Sequence, residues 1–157
     1  TSRQNVIRLR TFSKAYGLAG LRVGYAIGNS TLISSFNKVR NHFGVNKIGQ
    51  IAALSALEDQ EYLLKTLNAV EKSKFKIKSI FGDMGFSSID SRTNFVAVNI
   101  GNDPNKAKKF LSELIENKIF VRMPAVAPLN SFIRVSAGQE GDLRNLEKAV
   151  EKIIRKS

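Results

Sequence analysis

The order of apolar patterns along this chain constrains its fold more than any other feature. Apolar and polar residues alternate over residues 6–12, which predicts a strand, and residues 23–27 predict a second, buried strand. Two helical patterns follow, one capped at Ser30 or Thr31 and one over residues 46–57. The first third of the chain is therefore predicted to be α/β.

A long helix and a second group of strands and helices come next. Helical spacing continues from residue 59 to residue 81, and residues 95–100 alternate as a strand does. Asp103 followed by Pro104 predicts an N-cap and the first residue of another helix. Two short strands, 119–122 and 132–136, and a last helix complete the order βαββα.

We therefore predict an α/β fold in two parts. Residues 1–57 would be the C-terminal part of a large α/β domain, and residues 58–157 a long connecting helix with a small α+β domain. The chain begins without Met, directly in a strand, so we expect a fragment that starts inside a domain. We expect four lysines of the long helix to lie on its solvated face: Lys72, Lys74, Lys76 and Lys78.

The composition excludes several kinds of catalytic site. The chain has no Cys and a single His, His42, among its 157 residues. Disulfides, thiolate or His-based metal sites and a Ser-His-Asp triad are therefore excluded within this chain, and we expect no metal. No apolar run approaches the ~18 residues that a membrane helix needs, and no secretory segment is present. We expect a cytoplasmic protein.

The charge is strongly positive but unevenly distributed. The net charge is +12, and the first 50 residues contain eight Lys and Arg and no Asp or Glu. A basic nucleic-acid-binding module would explain the positive net charge. The Lys-rich segments, however, lack interleaved aromatic residues and any nucleic-acid motif. Isolated basic residues between Gly and apolar positions instead indicate a structure whose acidic or phosphate partner lies outside these residues.

The lysine that follows the first strand is the strongest candidate for chemistry. Lys14 lies between small hydroxyl residues and a Gly-rich stretch, where partial dehydration would lower its pKa and make the amine a nucleophile. Arg22 offers a planar fork for a phosphate, and Thr11 and Ser13 offer hydroxyl groups. Together these residues suit a phosphorylated aldehyde cofactor, although each could also be an ordinary surface residue.

An arginine in the middle of the strand 132–136 is the second candidate. Arg134 shares a face with Phe132 and Ser136, because side chains alternate along a strand. An arginine at this position requires an anion. From the residues alone, this anion could be either a carboxylate within the domain or a ligand.

The segment SKAYGLAGLRVGY, residues 13–25, resembles the cofactor-lysine signature of the fold-type I pyridoxal-phosphate aminotransferases, and within them the histidinol-phosphate aminotransferases. The resemblance implies that Lys14 forms the internal aldimine with pyridoxal phosphate and moves the proton during transfer. It also implies that Arg22, with Thr11 or Ser13, holds the cofactor phosphate.

The same resemblance implies a substrate site near the C-terminus. Arg134 and Arg122 would bind the substrate's anionic group, and Asn94, in the segment SRTNF, would donate to the substrate. Asn94 could equally be a turn residue before a strand. The implied reaction is transamination of a phosphorylated amine, histidinol phosphate with 2-oxoglutarate, in histidine biosynthesis by a homodimer.

Two alternatives remain at this point. A phosphate-recognising decarboxylase, similar to threonine-phosphate decarboxylase, would use the same Lys14, and the nucleic-acid-binding module belongs to another class altogether. The resemblance covers only the C-terminal part of such an enzyme. The residues that pair with the cofactor ring are not in this sequence, so we expect the chain alone to have little or no activity.

Overall fold

The computed structural model describes residues 5–156, so the basic residue Arg3 lies outside the described part. The chain forms two compact units, one up to Leu67 and one from Asn68 onward. The assignment of residues 1–57 to a large domain and 58–157 to a connecting helix and small domain stays a prediction.

The first unit contains a two-stranded antiparallel sheet. Strand β1, Ile7–Thr11, pairs with β2, Gly24–Gly28, with Thr11 opposite Gly24. A single turn of 3-10 helix, Ala19–Leu21, lies in the connection. The second strand was predicted to be buried, and this is wrong for the described residues, since most of β2 is exposed. The alternating pattern predicts a strand but does not identify what covers it.

Two helices follow the sheet. Helix α1, Ser30–Ser35, has Asn29 as its N-cap in place of the predicted Ser30 or Thr31, because the Asn29 side chain accepts from the Thr31 N–H. A 3-10 turn, Phe36–Lys38, ends the element. Helix α2, Lys47–Glu58, is capped by Asn46 and agrees with the prediction.

Helix α3, Gln60–Asp83, spans the boundary between the two units. Its C-terminal half packs into the core of the second unit through Ile77, Ile80 and Phe81. The lysines of this helix do not all face solvent. Lys74 is only 4% exposed, which corrects the expectation of a uniformly solvated face.

The second unit is a three-stranded antiparallel sheet with helices on its apolar face. Strands β3, Ser88–Ile89, β4, Phe95–Asn99, and β5, Phe132–Ser136, lie in the order β3-β4-β5. Helix α4, Pro104–Glu116, is capped by Asp103 as predicted, and α5, Glu140–Ile154, closes the unit. Besides the residues of α3, its core includes Val96, Val98, Phe110, Leu114, Ile133, Val135, Leu146 and Val150.

Two features of the second unit differ from the sequence prediction. Residues 119–122 do not form a strand, because only Arg122 makes a bridge, to Arg134. The short strand β3 was not predicted, since two residues are too few for an alternating pattern. Within residues 5–156, no helix combines the length and apolar character needed to span a membrane.

Candidate functional site

The predicted cofactor residues lie at the end of β1 and on the loop that joins it to β2. We call residues 12–23 the lysine loop. It is closed by hydrogen bonds from the Phe12 N–H to the Val23 carbonyl, 3.2 Å, and from the Leu18 N–H to the Phe12 carbonyl, 2.9 Å. Because Thr11 is paired with Gly24, the loop begins and ends at the same end of the sheet. Thr11, Ser13, Lys14 and Arg22 are therefore all held at that end.

Phe12 anchors the lysine loop. It is 2% exposed, and its ring lies 4.8 Å from the ring of Tyr16 and 5.4 Å from that of Tyr25. A buried aromatic side chain two positions before Lys14 fixes the backbone from which the lysine projects. Sequence reasoning missed this residue, although an aromatic residue between two hydroxyl residues in a polar loop is a usable signal.

Lys14 lies at the start of a tight turn. Its carbonyl accepts from the Gly17 N–H at 2.9 Å, and Gly17 has a φ of +71°, which a residue with a side chain rarely adopts. The Lys14 side chain is exposed. The described residues therefore do not provide the expected dehydration, which stays a prediction.

The two hydroxyl residues are linked to each other. The Ser13 N–H donates to Oγ1 of Thr11 at 3.0 Å. This contact uses a lone pair of the threonine oxygen and leaves its proton available to a ligand. Thr11 and Ser13 can thus both donate to an oxyanion.

Arg22 closes the lysine loop in a left-handed conformation, with φ 53° and ψ 47°. Its Nη1 donates to the Ala19 carbonyl at 2.7 Å, and none of the ion pairs among the described residues includes it. The remaining guanidinium donors have no acceptor among residues 5–156. A left-handed arginine tied to its own loop holds its charge in one place, as an anion site needs.

Asn46, the N-cap of α2, connects that helix to the lysine loop. Its Nδ2 donates to the Leu21 carbonyl at 3.0 Å, while its Oδ1 accepts from the Gly49 N–H at 2.6 Å. Both ends of the amide are used, so α2 fixes the backbone beside Arg22. The sequence predicted the helix start but gave no sign of this second contact.

The charge of the lysine loop fits a phosphate. Lys14 and Arg22 have no carboxylate partner among the described residues, and no acidic residue precedes Glu58 in the sequence. Two cations with two neighbouring hydroxyl groups leave a positive site without a counter-charge. A bound anion with several acceptor oxygens would complete it.

The second group of predicted residues lies on the sheet of the second unit. Arg122 and Arg134 pair through two backbone hydrogen bonds, 3.2 Å from the Arg122 N–H and 2.6 Å from the Arg134 N–H. Residues directly opposite in an antiparallel pair project from the same face. Both arginines are exposed, while Ile133 and Val135 on the other face are buried.

Arg134 contacts an aromatic ring and no carboxylate. Its Cζ lies 3.9 Å from the centroid of the Phe95 ring. Within residues 5–156, none of the ion pairs includes Arg134, so the alternative of a carboxylate within the domain is wrong for the described chain. Among residues 5–156, Arg134 therefore has no anionic partner.

Asn94 is held by its backbone and has a free side chain. Its carbonyl accepts from the Ala137 N–H at 2.9 Å, which fixes it beside the end of β5. Its exposed amide makes no hydrogen bond to any described residue. The residue lies in the bend before β4, as a turn residue would, and its amide remains available to donate.

Two lysines of α3 hold the segment that leads to Asn94. Lys74 Nζ donates to the Ser91 carbonyl at 2.8 Å and pairs with Glu71 at 2.7 Å. Lys78 forms an ion pair with Asp90, and this hydrogen-bonded ammonium group lowers the pKa of the Asp90 carboxyl. The segment before β4 is therefore tied to a rigid helix at two neighbouring residues.

Comparison with known proteins identifies the family of this chain. The family model described as aminotransferase class I and II matches residues 1–153. The chain is 40% identical over 152 residues to a histidinol-phosphate aminotransferase of Caldicellulosiruptor saccharolyticus, covering 96% of this chain and 41% of that protein. It is 39% identical over 147 residues to histidinol-phosphate aminotransferase 2 of Oceanobacillus iheyensis, covering 94% of this chain and 40% of that protein.

A solved structure is similar over nearly all of the chain. It is the histidinol-phosphate aminotransferase of Sinorhizobium meliloti in complex with pyridoxal-5'-phosphate, with a TM-score of 0.91 and 44% identity. The match covers 99% of this chain and 42% of that one. The chain thus spans about 40% of the length of the curated relatives it matches.

Proposed function

The chain belongs to the class I and II aminotransferases, and on that basis we propose that the protein transfers an amino group from histidinol phosphate to 2-oxoglutarate with pyridoxal phosphate as cofactor. The observation that carries this proposal is the pair of arginines on one sheet face, without a carboxylate partner among the described residues. Two cationic forks suit a dianionic phosphate. Relatives at 39–40% identity that carry the histidinol-phosphate name support the same substrate.

The lysine loop is the part of this chain that would hold the cofactor. Pyridoxal phosphate, when bound, supplies a ring that accepts the electrons of the bond broken at the substrate carbon. Arg22 and the hydroxyl groups of Thr11 and Ser13 would hold the phosphate, and Lys14 would hold the aldehyde end through Nζ. The uncompensated positive charge of the loop fits this group.

Lys14 has a second task in the proposed reaction. The Lys14 Nζ, as a free amine, would take the proton from the substrate carbon that bears the amino group. A flexible side chain on a rigid loop suits this transfer, because the amine moves while its backbone stays fixed. Phe12 and the closing hydrogen bonds of the loop provide that rigidity.

Arg122, Arg134 and Asn94 would hold the substrate. The two guanidinium groups bind its phosphate, and the Asn94 amide donates to a further polar group of the substrate. Since the phosphate is remote from the reacting carbon, its binding energy serves to position the amine for proton removal.

We propose in addition that the active protein is a cytoplasmic homodimer. Its support is apolar surface in the first unit, where Phe43 is 98% exposed and Val39 80%. Exposed apolar side chains of this size are usually covered in the functional assembly.

The reaction is tested by assaying the full-length protein with pyridoxal phosphate against two substrates. With histidinol phosphate and 2-oxoglutarate, we expect glutamate to form, and with threonine phosphate we expect no release of carbon dioxide. Carbon dioxide release without glutamate formation would replace the proposal with the decarboxylase. Absence of both activities, together with oligonucleotide binding that weakens steeply with salt, would favour the nucleic-acid-binding module.

A further inference from the structure

The ring of Phe95 lies against the guanidinium group of Arg134 across the sheet of the second unit. The distance from Cζ of Arg134 to the ring centroid is 3.9 Å. Phe95 of β4 is paired with Ser136 of β5, so Arg134 is its diagonal neighbour on the same face. The contact depends on the strand register, and it places a half-buried aromatic ring beneath an exposed cation.

None of the ion pairs among residues 5–156 uses the guanidinium donors of Arg134. A guanidinium group is planar and its five N–H groups lie in its plane, so a ring against its face occupies none of them. Arg144 and Arg155 differ, since each pairs with a glutamate four residues earlier in α5. Arg134 instead has its guanidinium carbon held over a ring, and its donors bind no described residue.

The ring that supports Arg134 is itself held on a rigid frame. Val96, the next residue of β4, is fully buried in the core and forces Phe95 toward the opposite face. Before β4, the Phe95 N–H contacts Oγ1 of Thr93 at 3.4 Å, and Lys74 binds the Ser91 carbonyl at 2.8 Å. The ring therefore has little freedom to follow the arginine.

An arginine loses side-chain conformational entropy when it binds an anion. A ring contact that already restricts the side chain reduces the entropy lost on binding. We propose that Phe95 is a positioning residue that holds the Arg134 guanidinium group with its donor edge toward the substrate phosphate. The inference rests on the proposed function, in which Arg134 binds that phosphate. Phe95 acts through Arg134 and makes no contribution of its own to the reacting atoms.

The test is steady-state kinetics of the full-length protein with histidinol phosphate as the varied substrate. Phe95→Leu should raise KM about three- to tenfold and leave kcat within about twofold. Phe95→Tyr keeps the ring face and should restore a KM near that of the wild type. Phe132→Leu is the matched control, because it removes an aromatic ring from the strand that carries Arg134. The Phe132 ring contacts no cation among the described residues, so this variant should leave KM unchanged.

A double-mutant cycle separates positioning from general loss of structure. In the Arg134→Ala background, Phe95→Leu should have no further effect on KM, because the group that it orients is gone. The inference would be overturned if Phe95→Leu raised KM equally in the wild-type and Arg134→Ala backgrounds. It would also be overturned if Phe132→Leu raised KM as much as Phe95→Leu. A wild-type KM in Phe95→Leu, with a raised KM in Arg134→Ala, would overturn it and leave the proposed function standing. An unchanged KM in Arg134→Ala would overturn both.

Discussion

Arg122 and Arg134 lie directly opposite each other, joined by backbone hydrogen bonds of 3.2 and 2.6 Å in both directions. This pairing places two like charges on one face of the sheet, which is unfavourable unless an anion lies between or beside them. The arrangement is independent of what the two side chains bind, because the backbone alone creates it. Substitution of either side chain therefore tests ligand binding without removing the bridge.

Arg122→Ala should raise KM for histidinol phosphate by about tenfold or more, since a charge-assisted hydrogen bond to the phosphate contributes ~1.5–3 kcal/mol. Steady-state kinetics at fixed ionic strength measures this effect. Arg144→Ala is the control, because Arg144 is exposed on α5 and paired only with Glu140. If Arg122→Ala and Arg144→Ala give the same KM, Arg122 does not contact the substrate.

Gly24→Ala should destabilise the end of the sheet that carries the lysine loop. A Cβ at this position would lie 2.6 Å from the backbone carbonyl oxygen of Arg10, which has no flexible end to move aside. We expect a loss of about 1–3 kcal/mol in unfolding free energy and weaker uptake of pyridoxal phosphate. Denaturant unfolding and the cofactor absorbance measure the two effects.

Gly20→Ala is the matched control for that substitution. A Cβ at Gly20 would have no neighbouring atom within 4 Å, and Gly20 lies in the short 3-10 turn of the same loop. Its stability should change by no more than ~0.5 kcal/mol. Equal losses in the two variants would mean that the close approach at Gly24 does not restrict the loop.

Lys74→Met should destabilise the second unit by about 1–3 kcal/mol. The substitution keeps the apolar part of the buried side chain but leaves the Ser91 carbonyl without the Lys74 donor. Lys72→Met, on an exposed position of the same helix, should be close to neutral. Thermal unfolding of both variants measures the difference, and a neutral Lys74→Met would show that the contact to Ser91 is not needed.

The Asp90–Lys78 ion pair should give stability that depends on pH. Because Lys78 lowers the pKa of Asp90 below its ordinary value of 3.8, the contribution is present above that value. It is lost as pH falls through the lowered pKa. Asp90→Asn should therefore be less stable than the wild type near neutral pH and equal to it in strong acid, as measured by urea unfolding. Lys78→Met should remove most of the stability difference between the Asp90 and Asp90→Asn chains, while Arg92 retains a smaller part of it. An undiminished difference would exclude the pair as its source.

Local signals in the sequence predicted the local features of the fold. Asp103 caps α4 because its side chain accepts hydrogen bonds from backbone N–H groups within the same turn. Two adjacent residues, Asp103 and Pro104, were therefore enough to predict where this helix begins. The strand 132–136 and the face shared by Phe132, Arg134 and Ser136 follow equally from alternation. The class I and II aminotransferase family was predicted from the signature around Lys14 and is confirmed by the family match.

Features that depend on distant residues were not predictable in the same way. Lys74 is buried because it binds the carbonyl of Ser91, 17 residues later in the chain. The helical periodicity of the sequence does not predict a contact at this separation. Phe95 meets Arg134 only through the register of β4 and β5. Residues 119–122 have the composition of a strand, but Arg122 alone finds a partner in the sheet.

The central claim is that Lys14 is the residue that holds pyridoxal phosphate. Incubation of the full-length protein with pyridoxal phosphate, reduction with borohydride and peptide mapping tests it most directly. We predict one stoichiometric label at Lys14, lost in Lys14→Ala and retained in Lys65→Ala, which removes an exposed lysine of α3. Labelling that persists in Lys14→Ala, or that is spread evenly over many lysines, would contradict the claim.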